Sequence, residues 1–195
     1  MYILLFKKTE TRIGYCSPQQ IEYAITMGYI LSDETINSAA ELGNLNVIKY
    51  FFDENRYGYR SYKRVGEYAA LGGHLDVLEW AHKNCFTYDK LICAHAALGG
   101  HLEIIKWARK IGYPCDTLVC AFAAKNRHYD IVKWAHENGC SWDSWTCANI
   151  ASNGDLDMLK WVRANGCPWD EWTCFYAEFK KYSGILQWAR ENGCS

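Results

Sequence analysis

Five tryptophans, Trp80, Trp107, Trp134, Trp161 and Trp188, follow one another at a step of 27 residues. Carried backwards past a three-residue insertion, the step lands on Tyr50 and then on Tyr23. Each aromatic residue sits in the same short phrase, as in His101-Leu-Glu-Ile-Ile-Lys-Trp107-Ala-Arg and Asp155-Leu-Asp-Met-Leu-Lys-Trp161-Val-Arg. A period of about 20–50 residues is the mark of a repeat array, in which a unit too small to bury its own apolar face stacks on its neighbours. That step constrains the fold more than any other feature of the chain.

Within a unit the pattern predicts two helices. Asp89, Asp116, Asp143 and Asp170 each stand 18 residues before a ladder Trp, with Ser32 in the same register. A carboxylate or hydroxyl there can accept the free amides of a helix's first turn. The first helix then carries a pair of small residues, Ala39-Ala40, Ala69-Ala70, Ala96-Ala97 or Ala123-Ala124, which lets another helix approach. A turn with Gly43, Gly73, Gly100 or Gly154 follows; Arg127 and Lys181 replace the glycine, so those two turns are expected to take another geometry. Asp76, Glu103, Asp130 and Asp157 open the second helix, where they complement its dipole. Its apolar residues (Leu102, Ile104, Ile105, Trp107 and Ala108) exceed one narrow stripe, as in a helix held between neighbours. It ends at Asn138-Gly139, Asn165-Gly166 and Asn192-Gly193. On this pattern the tryptophans are expected to be buried core between units; a stacking platform for bases or sugars is the alternative.

The ten cysteines fall mostly into two ladders, Cys93, Cys120, Cys147 and Cys174, and Cys140, Cys167 and Cys194. Equivalent residues of stacked helices lie about 10 Å apart, too far for a disulfide. Free, buried thiols are therefore expected. No metal site is expected: Cys115 and Cys120 have a ligand-like gap but no second pair, and His74, His101 and His128 stand a whole repeat apart. No phosphate loop or metalloprotease motif occurs, so neither an enzyme nor a cofactor is expected. A formal charge of −1 gives no general attraction to nucleic acid. The apolar run Tyr2–Phe6 stops at Lys7 and is too short for a signal core or a membrane span. The expectation is a cytoplasmic, monomeric protein.

The stretch Ala96-Ala97-Leu-Gly-Gly100-His101-Leu102-Glu103-Ile104-Ile105 resembles the ankyrin repeat, whose helix pair reads A-A-x-x-G-H-x-E-V-V, and Gly73-His74-Leu75-Asp76-Val77-Leu78 resembles it again. The opening T-P-L-H of that family is absent, with Cys93, Cys120, Cys147 and Cys174 in the register of its leucine. The unit is also shorter than the usual ankyrin length of about 33 residues. The missing residues fall where ankyrin repeats build a projecting finger. Short Trp- and Cys-rich units of this kind are similar to those in large ankyrin families of giant DNA viruses, which would place the protein in a host cytoplasm. The resemblance implies an all-α, ankyrin-like solenoid of stacked helix-turn-helix repeats with shortened finger loops. The organisation expected is an N-terminal segment or cap over 1–17 and an array over 18–195, with a half-unit at 18–31 and then six helix pairs.

The residues free to differ within this frame are Tyr68, His95, Phe122, Asn149 and Tyr176, one position before the paired small residues, and Leu71, Leu98, Lys125, Ser152 and Phe179, one position after. By analogy with ankyrin repeats they would face a concave groove and bind a protein partner. The plainer reading is that they tile an exposed helix face. Two further readings stay open: a substrate adaptor of a ubiquitin ligase, and a zinc or thiol protein using the cysteine ladders.

Overall fold

The computed structural model describes residues 16–26, 33–53, 64–84 and 91–194. Among these residues every regular element is an α-helix. In order they are α1 (Pro18–Thr26), α2 (Asp33–Glu41), α3 (Leu45–Asp53), α4 (Val65–Gly72), α5 (Leu75–Lys83), α6 (Ile92–Gly99) and α7 (Leu102–Lys110). Then follow α8 (Thr117–Lys125), α9 (Tyr129–Glu137), α10 (Ser144–Asn153), α11 (Leu156–Ala164), α12 (Glu171–Phe179) and α13 (Ser183–Glu191). Residues 1–14, Ser32, Arg56, Cys85 and Asp89 lie outside the described residues.

The chain divides into two compact units, Met1–Ile92 and Cys93–Ser195. In the first, α2 packs on α3 and on α4, α4 packs on α5, and α1 meets α3. In the second, α8 packs on α10 and α10 on α12, while each keeps its own second helix, α9, α11 or α13. Neighbouring helices are thus packed in series within each unit.

Local chemistry explains the helix ends. The carboxylates of Asp116, Asp143 and Asp170 accept the amides of Leu118, Trp145 and Trp172, each at 3.1 Å. At the other end of the second helices, the side-chain amides of Asn84, Asn138, Asn165 and Asn192 donate to the carbonyls of Trp80, Trp134, Trp161 and Trp188 at 2.8 Å. The aspartates satisfy amides that a helix leaves unpaired at its start, and the asparagines add a second donor to carbonyls that already accept their backbone amides. The turn between paired helices closes by a bond from the residue after the turn to the first small residue of the pair: His101 to Ala96 at 2.8 Å, His128 to Ala123 at 2.9 Å, Tyr182 to Ala177 at 2.8 Å. This is the pattern of a helix end with a left-handed cap.

Three expectations are corrected. The turns at Arg127 and Lys181 do not take another geometry: their φ values are 65° and 62°, left-handed like the glycines of the same register. What separates them from those glycines is the neighbour. A Cβ on Gly100 would meet the His128 ring at 2.6 Å, and one on Gly154 would meet the Tyr182 ring at 2.7 Å. The residue 28 places after Arg127 is Asp155, which is engaged in capping Met158 of α11 at 2.9 Å. With no ring in that register, a side chain at 127 costs only the left-handed backbone, about 1–2 kcal/mol.

The tryptophan ladder is not buried core. Trp80, Trp107, Trp134, Trp161 and Trp188 are all partly exposed. The buried stripe of α7 is Ile104, Ile105 and Ala108, and that of α9 is Ile131, Val132 and Ala135. On a helical wheel the Trp stands at the flank of this stripe. Cations of the preceding second helix lie over three of the rings: Arg109 over Trp134 at 5.9 Å, Lys133 over Trp161 at 5.6 Å and Lys160 over Trp188 at 5.9 Å.

The thiols are not all free. Cys115 and Cys140 form a disulfide with Cα atoms 5.2 Å apart. The spacing argument holds between equivalent positions, but this bond joins the loop before α8 to the residue just past α9, which are not equivalent. Cys93, Cys120, Cys147, Cys167, Cys174 and Cys194 are free and buried. Among the described residues no helix is long and apolar enough to cross a membrane.

Candidate functional site

The first helices present a shared frame. In α8 the small residues Ala121 and Ala124 are buried, and in α10 Ala148 and Ala151 are buried. Side chains of the next unit confirm what covers them: Asn149 Nδ2 of α10 donates to the Ala121 carbonyl at 3.0 Å, and Asn153 Nδ2 donates to that of Ala124 at 2.7 Å. A buried alanine here is a helix–helix contact.

Against this frame the ten candidate residues all reach the surface. Tyr68, Leu71, His95, Leu98, Phe122, Asn149, Ser152 and Tyr176 are partly exposed, and Lys125 and Phe179 are exposed. Tyr68 lies under the Arg64 guanidinium at 4.9 Å. The Leu98 carbonyl accepts Asn126 Nδ2 at 2.8 Å. Asn149 is committed to the scaffold by its bond to Ala121, so its side chain is a fastener between helices and not a free recognition group.

Tyr176 and Phe179 are drawn into a larger assembly that the sequence pattern did not single out. Trp145 of α10 stacks on Trp172 of α12 with centroids 6.1 Å apart. Trp172 meets Phe175 edge-on at 5.4 Å and Tyr176 at 6.1 Å, and Phe175 stacks on Phe179 at 6.0 Å. Trp145, Trp172, Phe175 and Phe179 keep 47%, 41%, 50% and 67% of their surface in water. At about 150–250 Å² per ring they expose roughly 450 Å² of continuous aromatic surface, comparable to the largest apolar patch of a typical monomer at about 300–600 Å². Residues of both signs flank the patch. Glu171 stands at one end of α12 and Lys180 at the other, while Glu178 pairs with Arg190 of α13 at 3.4 Å.

The signal for this patch was present in the repeat. Ala94, Ala121 and Ala148 hold one register, and Phe175 breaks it; Leu118 is followed in its own register by Trp145 and Trp172. Such a break is the opposite of a conserved ladder, and attention to the ladder alone passes over it.

The thiols show little reactive character. Burial pushes Cys93 up to about 11, and burial reinforced by the nearby Cys167 pushes Cys120 up to about 12. Cys194 is raised to about 12 by burial and by its hydrogen bond with Cys174. Cys167 is raised first by a hydrogen bond with Cys147 and then by burial. Among the described residues no three His, Cys, Asp or Glu side chains converge as a metal ion requires. A cleft of about 300 Å³ opens between Trp169 and Trp188, with Lys160 and Arg163 on its rim. Arg163 already lies over the Trp169 ring at 4.2 Å.

No family model matches the chain, and no curated protein matches it.

Proposed function

We propose that the chain is a non-enzymatic protein-interaction scaffold, an ankyrin-like solenoid that holds a partner protein on the face formed by its first helices. The observation that carries this reading is the register of Tyr68, His95, Phe122, Asn149 and Tyr176 and of Leu71, Leu98, Lys125, Ser152 and Phe179. Every one of these positions reaches the surface while the alanines beside them are buried. A rigid helical frame that presents differing residues at surface positions suits recognition, because little ordering entropy is lost on binding. Aromatic side chains at four of the ten positions (Tyr68, Phe122, Tyr176 and Phe179) are the kind that anchor protein interfaces.

Thiol chemistry has less support. Cys93, Cys120, Cys167 and Cys194 are buried and their pKa values are raised, which keeps them protonated and poorly nucleophilic at neutral pH. The likeness to short ankyrin units of giant DNA viruses is consistent with action on a host protein in a cytoplasm.

The test is affinity capture with the wild type and a Phe122→Ala/Tyr176→Ala variant of equal stability. The proposal expects a specific partner retained by the first and lost by the second. A partner held equally by both would move the site off this face.

A further inference from the structure

The disulfide between Cys115 and Cys140 has two unlike ends. Cys115 is half-buried in the loop before α8, whereas Cys140, just past α9, is only 6% exposed. A thiolate arriving from solvent therefore meets Cys115 first. Charge divides the pair as well. The Arg109 guanidinium of α7 donates to the Cys140 sulfur at 3.6 Å and to the Asn138 carbonyl at 2.7 Å. Asp116, by contrast, adjoins Cys115 in the chain. Burial alone would make Cys140 a poor leaving thiolate, and a neighbouring guanidinium offsets that cost.

The repeat also supplies a pattern for the opened pair. One and two units on, Trp142 and Trp169 stand in the register of Cys115. There the free thiols of Cys167 and Cys194 donate to the carbonyls of Asp143 and Asp170 at 3.5 Å and 3.3 Å. Asp116 holds that register before Cys140. A reduced Cys140 thus has an acceptor of the same kind, in a helical frame that does without the cross-link elsewhere.

We propose that Cys115 is a thiol-exchange site, at which a low-molecular-weight monothiol opens the bond while the chain stays folded. The incoming thiolate attacks the Cys115 sulfur and forms a mixed disulfide there. The Cys115–Cys140 bond breaks, its electron pair leaves on Cys140, and that thiolate then takes a proton from water. A second monothiol attacks the mixed disulfide, releasing Cys115 as a thiolate and a small-molecule disulfide. Two monothiols are oxidised to one disulfide, and the same two electrons reduce the pair. Access selects the sulfur that is attacked, and the leaving sulfur's stability as a thiolate sets the rate. Cys93, Cys120, Cys167 and Cys194 stay outside this chemistry, being buried with raised pKa values. The exchange is independent of partner binding at Phe122 or Tyr176.

The oxidised full-length chain, treated with 2-mercaptoethanol at neutral pH, quenched with iodoacetamide and mapped by peptide mass, tests this. The expected product carries the mercaptoethanol adduct on Cys115 and the alkyl group on Cys140. Arg109 is exposed, so water screens its charge; Arg109→Gln should slow the opening by about threefold. Arg109→Lys should restore most of the rate, because it returns the charge. Helical circular dichroism should hold throughout the reaction. An adduct that forms first on Cys140 overturns the assignment of the site to Cys115. Equal rates for Arg109→Gln and the wild type overturn the part given to Arg109. A bond that opens only in urea, or Cys115 and Cys140 thiols that alkylate before any monothiol is added, overturns the proposal as a whole.

Discussion

The hairpins α8/α9 and α12/α13 are copies of one pattern, and they solve the same physical problem differently. Both open on a capping aspartate, Asp116 or Asp170. Both close on a left-handed residue that is not glycine, Arg127 or Lys181. In the first hairpin, however, Ala121 and Ala124 lie under α10, and Cys140 is bonded to Cys115. In the second, Phe175 and Glu178 are exposed, and the loop residue equivalent to Cys115 is Trp169, packed against Cys194 and Trp188. The position of the disulfide is thus filled one and two units later by a tryptophan and a free thiol. The difference separates what the repeat needs from what it leaves free. A frame of caps, turns and second-helix stripes recurs, while the way one hairpin is joined to the next, or left open, is set by a few residues.

Four perturbations break or sharpen this comparison, in decreasing order of effect. Reducing or deleting the Cys115–Cys140 bond opens a closed loop of 25 residues and should cost the first hairpin about 3 kcal/mol. Hydrogen exchange should then rise in α8 and α9 and stay unchanged in α12 and α13; a uniform rise would mean that the bond serves both hairpins alike. Trp134→Ala should cost about 2 kcal/mol by urea unfolding, less than the ~3–5 kcal/mol of a fully buried tryptophan, because the ring is partly exposed. A cost above that range would return the ladder to the core.

The third is alkaline pH. Folding raises the pKa values of Cys93, Cys120 and Cys194 above the ordinary 9.0, so above pH 9 the unfolded chain loses protons that the folded chain keeps. Stability contributed by these thiols is complete below pH 9 and falls as pH rises towards 11–12. The urea midpoint should hold up to pH 9, and its slope against pH should turn downward from there towards pH 11. Substituting Cys120→Ala should remove its share of the slope. The smallest effect is expected from Lys181→Gly, which relieves a left-handed backbone and should stabilise α12/α13 by about 0.5–1 kcal/mol. Gly154→Ala should do the reverse, since its Cβ runs into Tyr182.

Much of the frame was legible in the sequence because single residues carry it. An aspartate 18 places before a tryptophan, a pair of alanines and an Asn-Gly each have one local reason to be where they are, and the helices follow from them. What was not legible depends on relations between units. Whether Arg127 can take a glycine's backbone depends on Asp155, 28 residues away. Whether Cys140 is a free thiol depends on Cys115, which shares no register with it. The tryptophan ladder was misread as core because periodicity shows that a residue is structural without showing how deep it lies; its place at the flank of the Ile104–Ile105–Ala108 stripe decides that. The candidate residues reach the surface, yet Asn149 is a fastener between helices, and Trp172 and Phe175 were passed over because they interrupt the pattern.

In the one register where Ala121 and Ala148 are buried, Phe175 is exposed. Equilibrium urea unfolding of Ala148→Phe and Phe175→Ala, each exchanging one face's residue for the other's, tests that directly. Ala148→Phe should lose about 2–3 kcal/mol through overpacking against α12, while Phe175→Ala should change stability by no more than about 0.5 kcal/mol. A loss at Phe175→Ala as large as that at Ala148→Phe would show the aromatic face to be core and contradict the account.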